Sequence, residues 1–356
     1  MNTLRYIPKD GLAGLAAQLA ARARLLVPTR EGMSVVFREY AGGEPCLARA
    51  TVSPKAAVLP ACETLFTFVK TKERSDKDAD KVAGKPALTL SVRQEAAPTI
   101  IFACRPCDAK GIAVLDRPYL GGPYSDPYYA ARRKALLTVS LTCDAPCATC
   151  FCDWVGKGPA DSEGSDLLMT RIEDGFVLEA VSPEGEALLR DDSLAGLLTE
   201  GKGHFEAVQA VRKASADKRP PAPDLGRAAE TLGKRFADVD FWQDMTAHCL
   251  SCGACTYMCP GCYCFNISDE GDGMEGRRLR SWDTCMSSLF TREASGHNPR
   301  TAKALRMRNR VLHKFSYYPT VWHGAFSCSG CGRCIVNCPV HLDIRRIVLA
   351  GMEEAI

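Results

Sequence analysis

No stretch of this 356-residue chain comes near the roughly 20 consecutive apolar residues of a membrane-spanning helix, so no transmembrane segment is expected. A secretory leader is not expected either. Met1-Asn2-Thr3-Leu4-Arg5-Tyr6 runs into Lys9 and Asp10, and the next apolar stretch is interrupted by Gln18, Arg22 and Arg24. There is no G-x-G-x-x-G turn after a strand and no Walker P-loop. That removes the common cradle for a nicotinamide or flavin, which hydride chemistry needs. Net charge is only +3 and by itself names no partner. What the chain has in quantity is cysteine, nineteen in all. In a small secreted protein they would imply disulfides. In a chain long enough for about two domains with their own cores, a reduced, cytoplasmic setting is the expectation.

Eight of the cysteines form the same run twice. Cys249, Cys252, Cys255 and Cys259-Pro260 make one C-x₂-C-x₂-C-x₃-C-P, and Cys328, Cys331, Cys334 and Cys338-Pro339 make the other. Three thiolates in one turn and a fourth before proline wrap a cubane iron–sulfur cluster, and in two-cluster proteins the fourth cysteine serves the other cluster. The expected sets are Cys249, Cys252, Cys255 and Cys338 for one [4Fe–4S] cluster, and Cys328, Cys331, Cys334 and Cys259 for a second. Structural zinc would more often show paired C-x₂-C knuckles separated by a longer loop. The chain is expected to carry electrons.

The expected fold class is α+β. Residues 11–26 place Leu12, Leu15, Leu19 and Leu26 near helical spacing. Ser34-Val35-Val36-Phe37 and Leu88-Thr89-Leu90-Ser91-Val92 read as strands. Thr99-Ile100-Ile101-Phe102-Ala103 is a strand ending in Cys104-Arg105-Pro106-Cys107-Asp108, with Asp108 placed to cap a following helix. A second apolar strand, from Ala135 to Leu141, ends at Cys143, so the first half predicts an α/β layer with cysteines at its strand ends. Residues 167–170 and 176–180 read as a hairpin. The Pro-rich stretch 215–225 reads as a linker, followed by a helix over 227–242. Two domains are expected, 1–220 and 221–356. The 68 residues between Cys259 and Cys328 hold a helical-looking stretch over 301–315, which predicts a mainly helical two-cluster ferredoxin domain.

Eleven cysteines lie outside the two runs. Cys46 and Cys62 are isolated and need no role beyond that of small thiols. Cys104, Cys107, Cys143, Cys147, Cys150 and Cys152 come together at adjacent strand ends; four of them suffice for a third cluster or a zinc ion, and inert buried thiols are the other alternative. Thr149-Cys150-Phe151-Cys152 and Gly261-Cys262-Tyr263-Cys264 are near copies. Only a tight turn aims both sulfurs of such a step at one point, because neighbours on an extended strand alternate faces. Cys262, Cys264 and Cys285 line a further site, shield the clusters, or have no role. Residues 274–325 carry ten Arg or Lys against three carboxylates. No nucleic-acid recognition motif accompanies them, so they are read as raising cluster potentials and docking an acidic partner.

Arg105-Pro106-Cys107-Asp108, Asp126-Pro127-Tyr128-Tyr129, Thr149-Cys150-Phe151-Cys152, Cys259-Pro260-Gly261-Cys262-Tyr263-Cys264-Phe265, Trp282-Asp283-Thr284-Cys285 and Lys314-Phe315-Ser316-Tyr317-Tyr318 occur in that order. Taken together they resemble the β subunit of archaeal sulfhydrogenases and the related A subunit of anaerobic sulfite reductase, from about residue 55 onward. The resemblance implies a cytoplasmic iron–sulfur subunit working between two partners. One is a flavoprotein that binds FAD and handles NAD(P)H. The other is a catalytic subunit linked to a hydrogenase, a sulfite reductase or a heterodisulfide reductase. It also points to Cys107, Cys143, Cys150 and Cys152 as ligands of a third [4Fe–4S] cluster, with Cys104 and Cys147 as spare thiols. The competing functional classes are a self-sufficient iron–sulfur reductase of a sulfur compound and a zinc scaffold.

Overall fold

In a computed structural model of the protein, the described residues are 3–71, 87–92, 94, 96–156 and 158–353. The strands are β1 (Leu4–Pro8), β2 (Arg24–Glu31), β3 (Ser34–Glu39), β4 (Cys62–Thr71), β5 (Ala87–Ser91) and β6 (Thr99–Cys104). They continue with β7 (Leu136–Leu141), β8 (Leu167–Arg171), β9 (Gly175–Ala180), β10 (Thr199–Glu200), β11 (Phe265–Gly271) and β12 (Glu275–Trp282). Eight of them form one sheet in the order β10-β1-β9-β8-β7-β6-β2-β3. Its centre, β8-β7-β6-β2, is parallel, and antiparallel strands flank it on both sides. All six residues of β6 are buried, as expected of a parallel strand covered on both faces. Leu12, Leu15 and Leu19 of the Leu12–Ala20 helix pack against Ile100, Phe102 and Val139 of that sheet.

That helix stops at Ala20, short of the expected residue 26, and Leu26 belongs to β2. Pairing of β2 with β6 takes these residues into the sheet, a case of tertiary context overriding a helical period. The helix expected over 227–242 is two short ones, Ala228–Lys234 and Val239–Met245. Asp238 separates them, its carboxylate accepting from Phe241 N at 3.1 Å as an N-cap. Strands β7 and β8 and the hairpin β8–β9 lie where the apolar runs place them.

A second sheet, ordered β11-β12-β4-β5, joins the two halves of the chain. Strand β12 pairs antiparallel with β4 from Glu275↔Val69 to Ser281↔Cys62. The C-terminal part is therefore mixed, carrying a β hairpin as well as helices such as Lys303–Leu312 and Ile344–Met352. Its apolar core also takes in Phe151 and Val155 from the first half, beside Trp242, Val311 and Phe315.

Candidate iron–sulfur centres

The two cysteine runs share one backbone design. In the first, Ser251 and Gly253 sit at φ 56° and 77°; in the second, Gly330 and Gly332 sit at 63° and 71°. Left-handed residues on both sides of the middle cysteine curl each loop before the one-turn helices Ala254–Tyr257 and Arg333–Val336. In each loop the backbone N–H two residues past the first cysteine points to its sulfur at 3.4 Å, from Ser251 to Cys249 and from Gly330 to Cys328.

Cys249, Cys252, Cys255 and Cys338 line a single cavity, together with Cys334 and Arg310. Cys338 is thus brought to the first run's thiols, although it belongs to the second. Beside Cys259 and Cys328 lies Lys314, 2 % exposed, whose Nζ is 3.5 Å from Cys259 Sγ and 2.7 Å from Ser327 O. Burial works against its charge, but the Cys259, Cys262 and Cys328 sulfurs hold its pKa well above the usual lysine value.

The first-half site lies at the carboxyl ends of two adjacent parallel strands, where α/β sheets commonly bind ligands. Cys107, Cys143, Cys150 and Cys152 line a second cavity there, with Arg49, Arg105 and Cys331. Cys107 stands in the first turn of the Pro106–Leu120 helix, whose N-cap is Arg105; Asp108 at the third helical position accepts from Arg105 N at 3.3 Å. Cys150 and Cys152 reach the same cavity because the chain turns sharply there, opening the 3₁₀ turn Cys152–Val155. Arg219, from the Pro-rich linker, donates to Cys150 O and to Asp153 Oδ1, both at 2.5 Å, and fastens this loop.

Cys104 and Cys147, the thiols expected to be spare, do not line that cavity. The β6–β7 register shifts between Phe102 and Cys104, with Ala103 at φ 57°. This bulge turns Cys104 toward Val139 O (3.8 Å) and Ser140 Oγ (3.5 Å). Burial pushes the Cys104 thiol up to about 12. Cys147 meets Arg49 Nη1 at 2.8 Å and is not part of the cavity lining. Among Cys262, Cys264 and Cys285, Cys262 Sγ is 3.7 Å from Arg310 Nη1, and none of the three lines either cavity. Cys46 is half-buried and Cys62 is exposed at the start of β4.

Among the described residues, no three His, Cys, Asp or Glu side chains group as ligands of one metal ion. The first-run thiols with Cys338, and the four first-half thiols, each stand around one cavity, as a four-iron cluster with four separate thiolate ligands requires. Of the second-run set, Cys334 lines the former, Cys331 the latter, and Cys328 and Cys259 neither. Buried polar atoms without a partner point the same way. Arg310 Nη2 is orphaned beside the first cavity, and so are Ser327 Oγ and Ser329 Oγ on either side of Cys328 and Thr149 Oγ1 before Cys150. Each is a donor that an anionic sulfide or thiolate would satisfy. The donor sets of the first run with Cys338 and of the first-half site each fit one such cluster.

Six of the ten basic residues in that stretch fall into two groups. Arg277 and Arg278 pair with Glu270 and Asp269 across the β11–β12 hairpin, and Arg280 with Glu63 and Asp126. Arg306, Arg310 and Lys314 are buried on the helical segment that faces the thiols. Sequence reasoning missed Arg49, half-buried and remote from every motif, and the Arg333–Asp108 ion pair (2.6 Å), which joins the second run to the Pro106–Leu120 helix. Nothing local marks either one.

Residues 248–342 match the family model described as a 4Fe-4S dicluster domain. The chain is 31 % identical over 247 residues to the sulfhydrogenase 2 subunit beta of Pyrococcus furiosus, covering 68 % of this chain and 71 % of that one. No solved structure matches it. No helix among the described residues is long and apolar enough to cross a membrane.

Proposed function

The chain belongs to the iron–sulfur β-subunit family of the sulfhydrogenases, and on that premise we propose that it is the electron-relay subunit of a cytoplasmic multi-subunit oxidoreductase. Its partners are a flavoprotein subunit that binds FAD and NAD(P)H and a catalytic subunit of the hydrogenase, sulfite-reductase or heterodisulfide-reductase-linked kind. A bound [4Fe–4S] cluster takes up and releases single electrons. The chain supplies the thiols, the buried cations and the spacing. Cys249, Cys252, Cys255 and Cys338 hold one cluster, and Cys328, Cys331, Cys334 and Cys259 the other. Cys107, Cys143, Cys150 and Cys152 hold a third. No residue is assigned to bond-making chemistry.

The observation that carries this reading is the single cavity lined by all three clustered thiols of the first run and by Cys338, with Cys334, of the second. Purified chain is expected to hold about twelve irons and as many acid-labile sulfides, four per cluster. With reduced viologen it should turn over neither sulfite, polysulfide nor protons; turnover by the isolated chain would make it a self-sufficient reductase instead. Cys338→Ala should damage the spectrum of the first run's cluster. Damage confined to the second run's would refute the crossed assignment.

A further inference from the structure

We propose that Arg49 is a positioning residue that joins the first-half thiol site to the second cysteine run, so that the centres form one line: first-half site, second run, first run. The inference rests on the third cluster proposed above.

Arg49 Nη1 donates to Cys147 Sγ at 2.8 Å, and its Nη2 donates to the carbonyl of Cys331. The same carbonyl lies 3.7 Å from Cys150 Sγ. The two loops touch through bare backbone: Phe151 N donates to Gly330 O at 2.7 Å. A Cβ on Gly330 would stand 2.4 Å from Phe151 O, and one on Gly332 the same distance from Thr149 O. Contact this close needs glycine in the second run at both positions. Cys331 thereby faces the first-half cavity, while Cys334 of the same run faces the first-run cavity. No first-run cysteine lines the first-half cavity. The second run is the middle of the line.

A guanidinium fixed between two thiolate-held centres favours the more negative, reduced state of both. Arg49 therefore sets the potentials of two centres and leaves the most distant one alone.

The test is a potentiometric EPR titration of the full chain and of its Arg49→Leu and Arg49→Lys variants, with iron counted in each. Arg49→Leu should shift two of three signals to lower potential and leave the first run's in place, and Arg49→Lys should recover most of the shift. In the unaltered protein, the first-half and second-run signals should show mutual spin–spin broadening, a readout that holds even if Arg49→Leu loses its clusters. With about twelve irons present, three unmoved signals, an equal shift of all three, or no broadening would overturn the proposal. About eight irons in the unaltered protein would instead remove the third cluster itself, and this inference with it.

Discussion

Lys314 brings a full positive charge to within hydrogen-bonding distance of Cys259 Sγ in a place water does not reach. Lys314→Met should lower the potential of the second-run cluster by on the order of 100 mV, the effect of one charge at ~5 Å in a medium of effective dielectric ~20. Redox titration of that signal checks it. The Arg333–Asp108 pair has a different role, since both side chains are almost wholly buried and Arg333 also donates to Ala50 O. Asp108→Ala leaves a guanidinium buried without its counter-charge and should cost about 3–5 kcal/mol, read as a fall in the denaturation midpoint. Asp108→Asn, which keeps an acceptor, should cost less. At this scale the sequence was most legible in the thiols and least in what surrounds them. Spacing alone could not separate Cys104 from Cys107, because the bulge at Ala103 that turns Cys104 inward is a property of its pairing with β7. Arg49 carries no local signature, as its partners lie 98 and 282 positions away.

Elements fixed by their own residues were readable, and those fixed by a distant partner were not. Strands β6 and β7 and the hairpin β8–β9 are apolar runs bounded by turn residues and fall where those runs do. Hairpin β11–β12 was not foreseen, although Asp272-Gly273 at its tip, with Gly273 at φ 90°, is a strong short-range turn signal. Its strands are rich in charge and β11 is largely exposed, so no apolar run marks them, and the place of β12 depends on β4. Within the second run's loop, Gly332 is both left-handed and pressed against Thr149. Gly332→Ala should destabilise the protein by about 1–3 kcal/mol and reduce its iron content. Gly324→Ala, at φ 87° with open space around it, should cost about 1 kcal/mol from backbone strain alone and leave the iron in place. Equal effects of the two on iron content would argue against the loop contact.

Seen whole, the molecule is tied across its length by three independent features: the shared four-stranded sheet, the buried Arg333–Asp108 pair, and Phe151 and Val155 seated in the C-terminal core. A fragment of residues 221–356 expressed alone would lose β4 as the partner of β12 and would uncover Arg333. It should accumulate as insoluble or iron-poor material, and co-expression with residues 1–220 should restore soluble protein. Iron content and gel filtration distinguish these outcomes, and a monodisperse fragment loaded with about eight irons would show that the ties are dispensable.

The strand exchange between β4 and β12 sets a timetable for biosynthesis. When β4 leaves the ribosome, its partner at 275–282 is still some two hundred residues from being translated. At ~5–20 residues per second, that is a wait of tens of seconds with an unsatisfied strand edge open to solvent and to neighbouring nascent chains. Cys338, the thiol that closes the first run's cavity, is translated later still. Iron and sulfide delivered before then would meet an incomplete set of ligands, so loading of the first run's cluster should wait until Cys338 has been made.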